Sequence, residues 1–301
     1  MRFRITLLIF LVASLAGSAA AAQKATKKRL SIAILSLNDS ELGHHVSEFY
    51  RENFQSAELE VLDSDLVKAT ALGAGYTPST NMAVMEARTF GSTIGSDFYV
   101  LVDAQTLRRS PSSGEIYFDA CAATFLVSSR TGRLWRFQWM KMDGPTAERA
   151  ERHMLKTISD SKWADPIVEE VRRGFEEERS ARELAVGREI PIIEPAPENE
   201  EAAAAEGMQL PRPFRRLQPS YTPAAAEGDV EAVVDLLVDI DKEGEVSYLS
   251  IARWAGYGLD EATIETVRKL HFFPALRNGT PIPLRVLLRY NFRKPPRQNQ
   301  S

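Results

Sequence analysis

The sequence predicts an α+β protein: an N-terminal α/β domain with a mixed sheet, a Pro-rich linker, and a small C-terminal ββαβ domain. Three observations lead there. Apolar, β-favouring runs alternate with helical stripes in the first half; every period is lost between Ile190 and Pro219; and the chain closes on an amphipathic helix followed by a cleanly alternating strand. With 301 residues, 44% hydrophobic and 26% charged, there is room for two modest domains. A net charge of -4 leaves no electrostatic footprint for nucleic acid, and none is expected as a partner.

Arg2 and Arg4 precede the apolar run Ile5 to Gly17 and the small residues Ser18 to Ala22, the n-region, h-region and cleavage site of a secretory signal over residues 1–22. The apolar run is short for a membrane span, so a periplasmic address is expected, with an inner-membrane anchor through the alanines as the alternative. The single cysteine, Cys121, excludes a disulfide within the monomer and a lipid-bearing cysteine after the signal.

Within the α/β domain, expected over residues 28–162, Leu30 to Leu37 reads as a buried strand. A helix follows over Glu41 to Gln55, with Leu42, Val46, Phe49 and Tyr50 inward. A short strand, Leu59 to Leu62, leads into a loop carrying Gly73-Ala74-Gly75-Tyr76. A second helix is expected from Ser79 to about Ile94, then an apolar strand from Asp97 to Asp103. Strand, helix, strand, helix, strand implies parallel pairing. The β-rich runs Ile116 to Ser128 and Arg133 to Met142, joined by Ser129-Arg130-Thr131-Gly132, extend the sheet with an antiparallel hairpin. Thr146 to Ile158 closes the domain as a helix.

Residues 163–217 read as a charged helix candidate, Asp165 to Leu184, either a packed terminal helix or a solvated spacer, followed by a Pro-, Ala- and Glu-rich, semi-stiff linker. In the C-terminal domain, residues 218–294, alternation from Val234 to Ile240 marks a strand and Asp241 to Val246 a hairpin turn into a second. Leu259, Ala262, Thr263, Thr266, Val267 and Leu270 form one helical stripe. In the final strand Leu284, Val286, Leu288, Tyr290 and Phe292 alternate with Arg285, Arg289 and Asn291. Val267 and Leu270 are expected to face Val286, Leu288 and Tyr290, so that losing Leu288 costs far more than losing Arg289.

The order Leu259-Asp260-x-Ala262, Phe272-x-Pro274-Ala275, Asn278-Gly279, Pro281-x-Pro283 and a strand ending in Phe292 resembles the TonB C-terminal domain family. The likeness extends upstream through Gln218-Pro219-Ser220-Tyr221-Thr222-Pro223, the strand Val234 to Ile240 and the turn Asp241 to Val246. It departs at Thr222, where the family has proline after the tyrosine, and at Ala232, where it has glycine. What the resemblance implies is a non-enzymatic module that docks a peptide of an outer-membrane receptor or another envelope protein by strand addition, with a link to TonB-dependent transport. It places Arg285, Leu287, Arg289 and Asn291 on or beside the docking surface. A homodimer is the other option for such an edge.

The first domain is similar to the periplasmic α/β domains of the TolB amino-terminal and CsgG type. Val127 to Leu134 and the stretch from Glu86-Ala87 to Gly95-Ser96-Asp97 carry that likeness. A ligand-sensing or enzymatic domain, using the strand-end acids Asp63, Asp65, Asp97 and Asp103, is the competing function, with the C-terminal module then structural or dimerising. No cofactor, metal or catalytic group is expected. Gly73-x-Gly75 lacks the third glycine of a dinucleotide fingerprint. His44 and His45 point about 100° apart on a helix and cannot share a metal, and Cys121 has the small, apolar neighbours of a packed thiol.

Overall fold

In a computed structural model of the chain, residues 29–294 are described except 78, 112 and 187–192. The expected signal over 1–22 therefore lies outside the described residues, as do the linker residues 190–192. No helix among the described residues is long and apolar enough to cross a membrane.

The first unit runs β1 (Ser31–Ser36), α1 (Glu41–Ser56), β2 (Glu60–Val61), α2 (Ser64–Gly73), α3 (Val84–Ile94), β3 (Phe98–Arg109), β4 (Tyr117–Ser128), β5 (Leu134–Gly144), α4 (Ala147–Asp160) and α5 (Asp165–Ala185). Its five strands lie in the order β2-β1-β3-β4-β5; the first three are parallel and the hairpin strands antiparallel. Period-two alternation divides the side chains between two cores. Ile32, Ile34, Val100 and Val102 face α1, α4 and α5, while Ala33, Leu35, Tyr99 and Leu101 face the opposite layer. Ser40 caps α1 by accepting from the Gly43 N–H, and Thr146 caps α4 by accepting from the Arg149 N–H. The hairpin turn needs Gly132: its φ is +70°, and a Cβ there would stand 2.0 Å from the Val84 carbonyl oxygen.

The segment expected as a loop before Tyr76 contains α2, which Asp63 caps by accepting from the Asp65 and Leu66 N–H groups. α3 starts five residues later than expected, with the Glu86 carboxylate accepting from the Ala83 N–H.

The second unit runs α6 (Glu200–Ala205), β6 (Met208–Gln209), β7 (Arg212–Pro213), α7 (Pro223–Glu227), β8 (Ala232–Ile240), β9 (Val246–Arg253), α8 (Leu259–Val267), β10 (Phe272–Phe273), β11 (Ala275–Arg277), β12 (Thr280–Ile282) and β13 (Leu284–Phe292). β13, β8 and β9 form an antiparallel sheet in that order, and Leu236, Val238, Ile240, Val267, Leu270 and Phe272 make its small core. The family departure at Thr222 has a local reason: its hydroxyl caps α7 by accepting from the Ala225 N–H and donates to the Tyr257 carbonyl at 2.5 Å.

Of the two readings open to the charged helix in residues 163–217, the packed one holds, and the expected spacer after it is anchored where described. α5 is a packed helix: Ile167, Val168 and Val171 are buried against the first sheet, and buried Glu178 accepts from Trp135 Nε1, Thr131 Oγ1 and Arg130 Nη2. The Pro-rich stretch, where described, is tied to the second unit through β6 on β11 and β7 on β10. Pairings of two residues satisfy backbone groups without any apolar period.

The two units share one core. The first sheet's second face is covered by α2 and α3 beside β1 and β3, and by the second unit beside β4 and β5. Trp254, 1% exposed, stacks 5.7 Å from Phe125, and its indole N–H donates to the Gly132 carbonyl at 3.1 Å. Tyr257 lies 4.5 Å from Phe137 and 5.3 Å from Trp139. Gly256 permits this approach, since a Cβ would stand 2.7 Å from the Phe137 ring. Asn81 clasps the strands from the first unit, its Nδ2 donating to the carbonyls of Val233 and Trp254 and its Oδ1 accepting from the Val233 N–H.

Candidate functional site

β13 forms one edge of the second sheet, and its pairing with β8 is regular from Leu284 opposite Ile240 to Phe292 opposite Ala232. In an antiparallel ladder the main-chain groups of alternate residues turn to opposite sides. At Arg285 they turn outward, and both are occupied. The Arg285 N–H donates to the Glu194 carbonyl at 2.8 Å, and its carbonyl accepts from the Ala196 N–H at 2.7 Å. Residues 194–196 thus lie parallel to β13 for one rung, anchored where Arg277 Nη2 donates to Glu194 Oε1 at 2.7 Å.

The same alternation aims the N–H and C=O groups of Leu287, Arg289 and Asn291 at that outer edge. No strand among the described residues pairs with them. The four residues singled out from the sequence therefore sit on one register. Leu287 is 53% exposed. Arg285 and Arg289 are engaged across the ladder: Arg285 Nε and Nη2 donate to Asp239 at 2.5 and 2.7 Å, and Arg289 Nε and Nη2 donate to Asp235 at 2.7 and 2.9 Å. These bonds raise both guanidinium pKa values above their ordinary range. Sequence reasoning missed the two acceptors, although a signal existed: aspartates four apart in β8 match arginines four apart in β13. Beside the edge, Pro213 and residues 215–218 line a cavity of about 180 Å3 with Leu288, Arg289 and Tyr290.

The other candidates have structural partners. Asp63 is the α2 cap, Asp97 accepts from the Ser31 N–H and hydroxyl, and Asp103 accepts from Asn38 Nδ2. Burial raises the Asp103 carboxyl pKa, and the Asn38 bond partly offsets it. Cys121 is buried, and burial with the nearby Asp119 charge pushes its thiol up to about 11, far from a thiolate nucleophile. His44 and His45 are neighbours on α1, and no group of three His, Cys, Asp or Glu side chains that could hold a metal gathers among the described residues.

Residues 217–293 match the family described as Gram-negative bacterial TonB protein C-terminal. No curated protein matches the chain. Among solved structures, the chain is similar to the TonB C-terminal domain of Pseudomonas aeruginosa at 19% identity, covering 29% of this chain and 90% of that one with a TM-score of 0.25. Lipoprotein GNA1162 from Neisseria meningitidis is similar at 12% identity, covering 44% and 96%, with a TM-score of 0.32. The LpoB C-terminal domain from Salmonella enterica is similar at 10% identity, covering 38% and 82%, with a TM-score of 0.26. With the family match spanning β8, β9, α8 and β13, residues 217–293 form a TonB-like C-terminal domain, carried behind an α/β unit with its own mixed sheet.

Proposed function

We propose that the protein is a non-enzymatic adaptor of the periplasm whose C-terminal domain docks an extended peptide of an outer-membrane receptor along the outer edge of β13, within TonB-dependent transport. The observation that carries this reading is the rung at Arg285, where an extended segment already lies on that edge with both main-chain bonds made. Leu287, Arg289 and Asn291 continue the same row of donors and acceptors, so a partner strand has a ready template. Affinity then comes chiefly from main-chain bonds, and exposed Leu287 supplies an apolar contact.

The test is an NMR titration of the isotope-labelled chain with a peptide from the periplasmic end of such a receptor. Amide shifts should concentrate on Leu287 to Asn291 and saturate. Absence of any shift there at millimolar peptide sinks the reading. Concentration-dependent dimerisation through the same amides without peptide would put a second copy of the chain in the partner's place.

A further inference from the structure

A second groove, distinct from the β13 edge, opens between the two units with a volume of about 970 Å3. Its long walls are strands with one unpaired side. β5 ends the first sheet, and β9 ends the second. The outer side of β9 is engaged at its C-terminal end, where Arg253 bridges Ala83 and the Trp254 N–H donates to the Met82 carbonyl. From Tyr248 to Ile251 it has no strand partner among the described residues. The volume lies at the upper end of small-ligand sites, roughly 300–1,000 Å3.

The charge of the groove is one-sided in what it leaves unmatched. Arg133, Arg136 and Arg268 line it, and among the described residues none of them makes an ion pair. Arg133 rests its guanidinium 4.4 Å over the Trp135 ring. Arg136 Nε is buried and donates to nothing, an orphan of a kind that native structures rarely leave. Of the carboxylates on the lining, Glu170 is ion-paired with Arg173 at 2.6 Å, although its buried Oε2 accepts no hydrogen bond, and Asp260 is held by the N–H groups of Ala255 and Gly256. Only Glu261, exposed on α8, is left to oppose the three arginines.

We propose that this groove binds an acidic peptide segment in extended conformation, its main chain pairing with the free side of β9 and its carboxylates reaching Arg136 and Arg268. A free strand edge selects an extended main chain, and guanidinium forks select carboxylates, which they meet in bidentate geometry. A segment alternating acidic and β-branched residues meets both demands, because its carboxylates then line one face at strand spacing. The partner so recognised is a protein with an acidic, unpaired segment, bound at a site that leaves Leu287 to Asn291 free.

The experiment titrates the full chain with a fluorescein-labelled peptide of alternating Val and Glu, and with its Val and Lys counterpart, by fluorescence anisotropy and by NMR. The Glu peptide should bind saturably, shift the amides of Tyr248 to Ile251, and weaken with added salt; the Lys peptide should not bind. Arg136→Gln should lower affinity at least tenfold. Arg268→Glu, a change on the exposed surface of the second unit, should lower Glu-peptide affinity tenfold and admit the Lys peptide, with amide dispersion unchanged as proof of folding. The proposal is overturned by no saturable binding at millimolar peptide, by indifference to both substitutions, or by shifts confined to Leu287 through Asn291.

Discussion

Arg289 lays both arms of its guanidinium on Asp235, at 2.7 and 2.9 Å, and that carboxylate is only 5% exposed. An arginine on the solvent side of an edge strand thereby becomes the counter-ion of a nearly buried acid. Arg253 Nε is the remaining cation near Asp235, at 3.5 Å. The expectation that losing Arg289 costs far less than losing Leu288 counted only the apolar core and left out this ion pair. Its removal leaves a desolvated carboxylate with one distant partner.

Arg289→Ala should lower the melting temperature more than Leu287→Ala, whose side chain is 53% exposed. The double variant Asp235→Asn with Arg289→Ala should lose less than the sum of its single changes, because Asp235→Asn removes the buried charge that Arg289→Ala leaves stranded. Additive losses in a thermal double-mutant cycle would show that the pair is not coupled.

The apolar side of β13 carries a matching correction. Leu288 is partly buried against a core whose centre is Leu236 and Val238 of β8, both 0% exposed. Leu288→Ala should cost about 1–2 kcal/mol and Leu236→Ala about 2–5 kcal/mol, the difference reflecting how much of each side chain leaves water on folding. Chemical denaturation of the two variants with unchanged m-values is the measurement, and equal losses would misplace the core.

How much of this was legible follows the range of the signal. The helix α1 and the strands β4, β5, β8 and β13 are written in local period, and the sequence located each within a few residues. α2 leaves no readable stripe because its apolar residues do not line up with burial: Leu66 and Leu72 are 67% and 73% exposed, whereas Val67 and Ala71 face the core. Prolines and glutamates in residues 193–219 suggested a spacer, yet two-residue pairings onto β10 and β11 hold that stretch. At the docking edge, alternation identified Arg285, Leu287, Arg289 and Asn291 as one row, but the bonds of residues 194–196 to Arg285 span about ninety positions and leave no local trace. The same holds for Trp254 on Phe125.

That contact makes the units interdependent. Trp254 is enclosed by residues of both, and Asn81 bonds the carbonyl on its own backbone. Trp254→Ala should cost about 3–5 kcal/mol. It should also raise hydrogen exchange in β4 near Phe125 as well as in β8. A variant that melts with exchange increased only in the second unit would show that each unit closes its core alone.

Asp260 gives a pH dependence with a defined sign. Burial pushes its carboxyl up to about 7, against the N–H bonds from Gly256 and Ala255, which pull it down. An unfolded aspartate titrates near about 3.9. Between those values the folded chain holds a proton that the unfolded chain has released, so this group's contribution to stability is complete below pH of about 4 and is lost as pH rises through about 7. The melting temperature of the wild type should therefore fall relative to Asp260→Asn from about pH 5 to about pH 8. Parallel curves for the two proteins over that window would assign the carboxyl an ordinary pKa.

The register of β13 separates docking from folding in a way that side-chain truncation cannot. The N–H groups of Leu287 and Arg289 face the open edge, whereas those of Val286 and Leu288 face β8. Proline removes a donor and is tolerated on edge strands where that donor points to solvent. Leu287→Pro should thus keep the domain folded while deleting one rung offered to a partner strand, and receptor-peptide affinity should drop at least tenfold, about 1.4 kcal/mol. Leu288→Pro breaks the ladder to β8 and should unfold the C-terminal unit. Circular-dichroism melts run beside each binding titration distinguish the two effects. If Leu287→Pro melts like the wild type and still binds the peptide at full strength, strand addition on this edge is not how the partner is held.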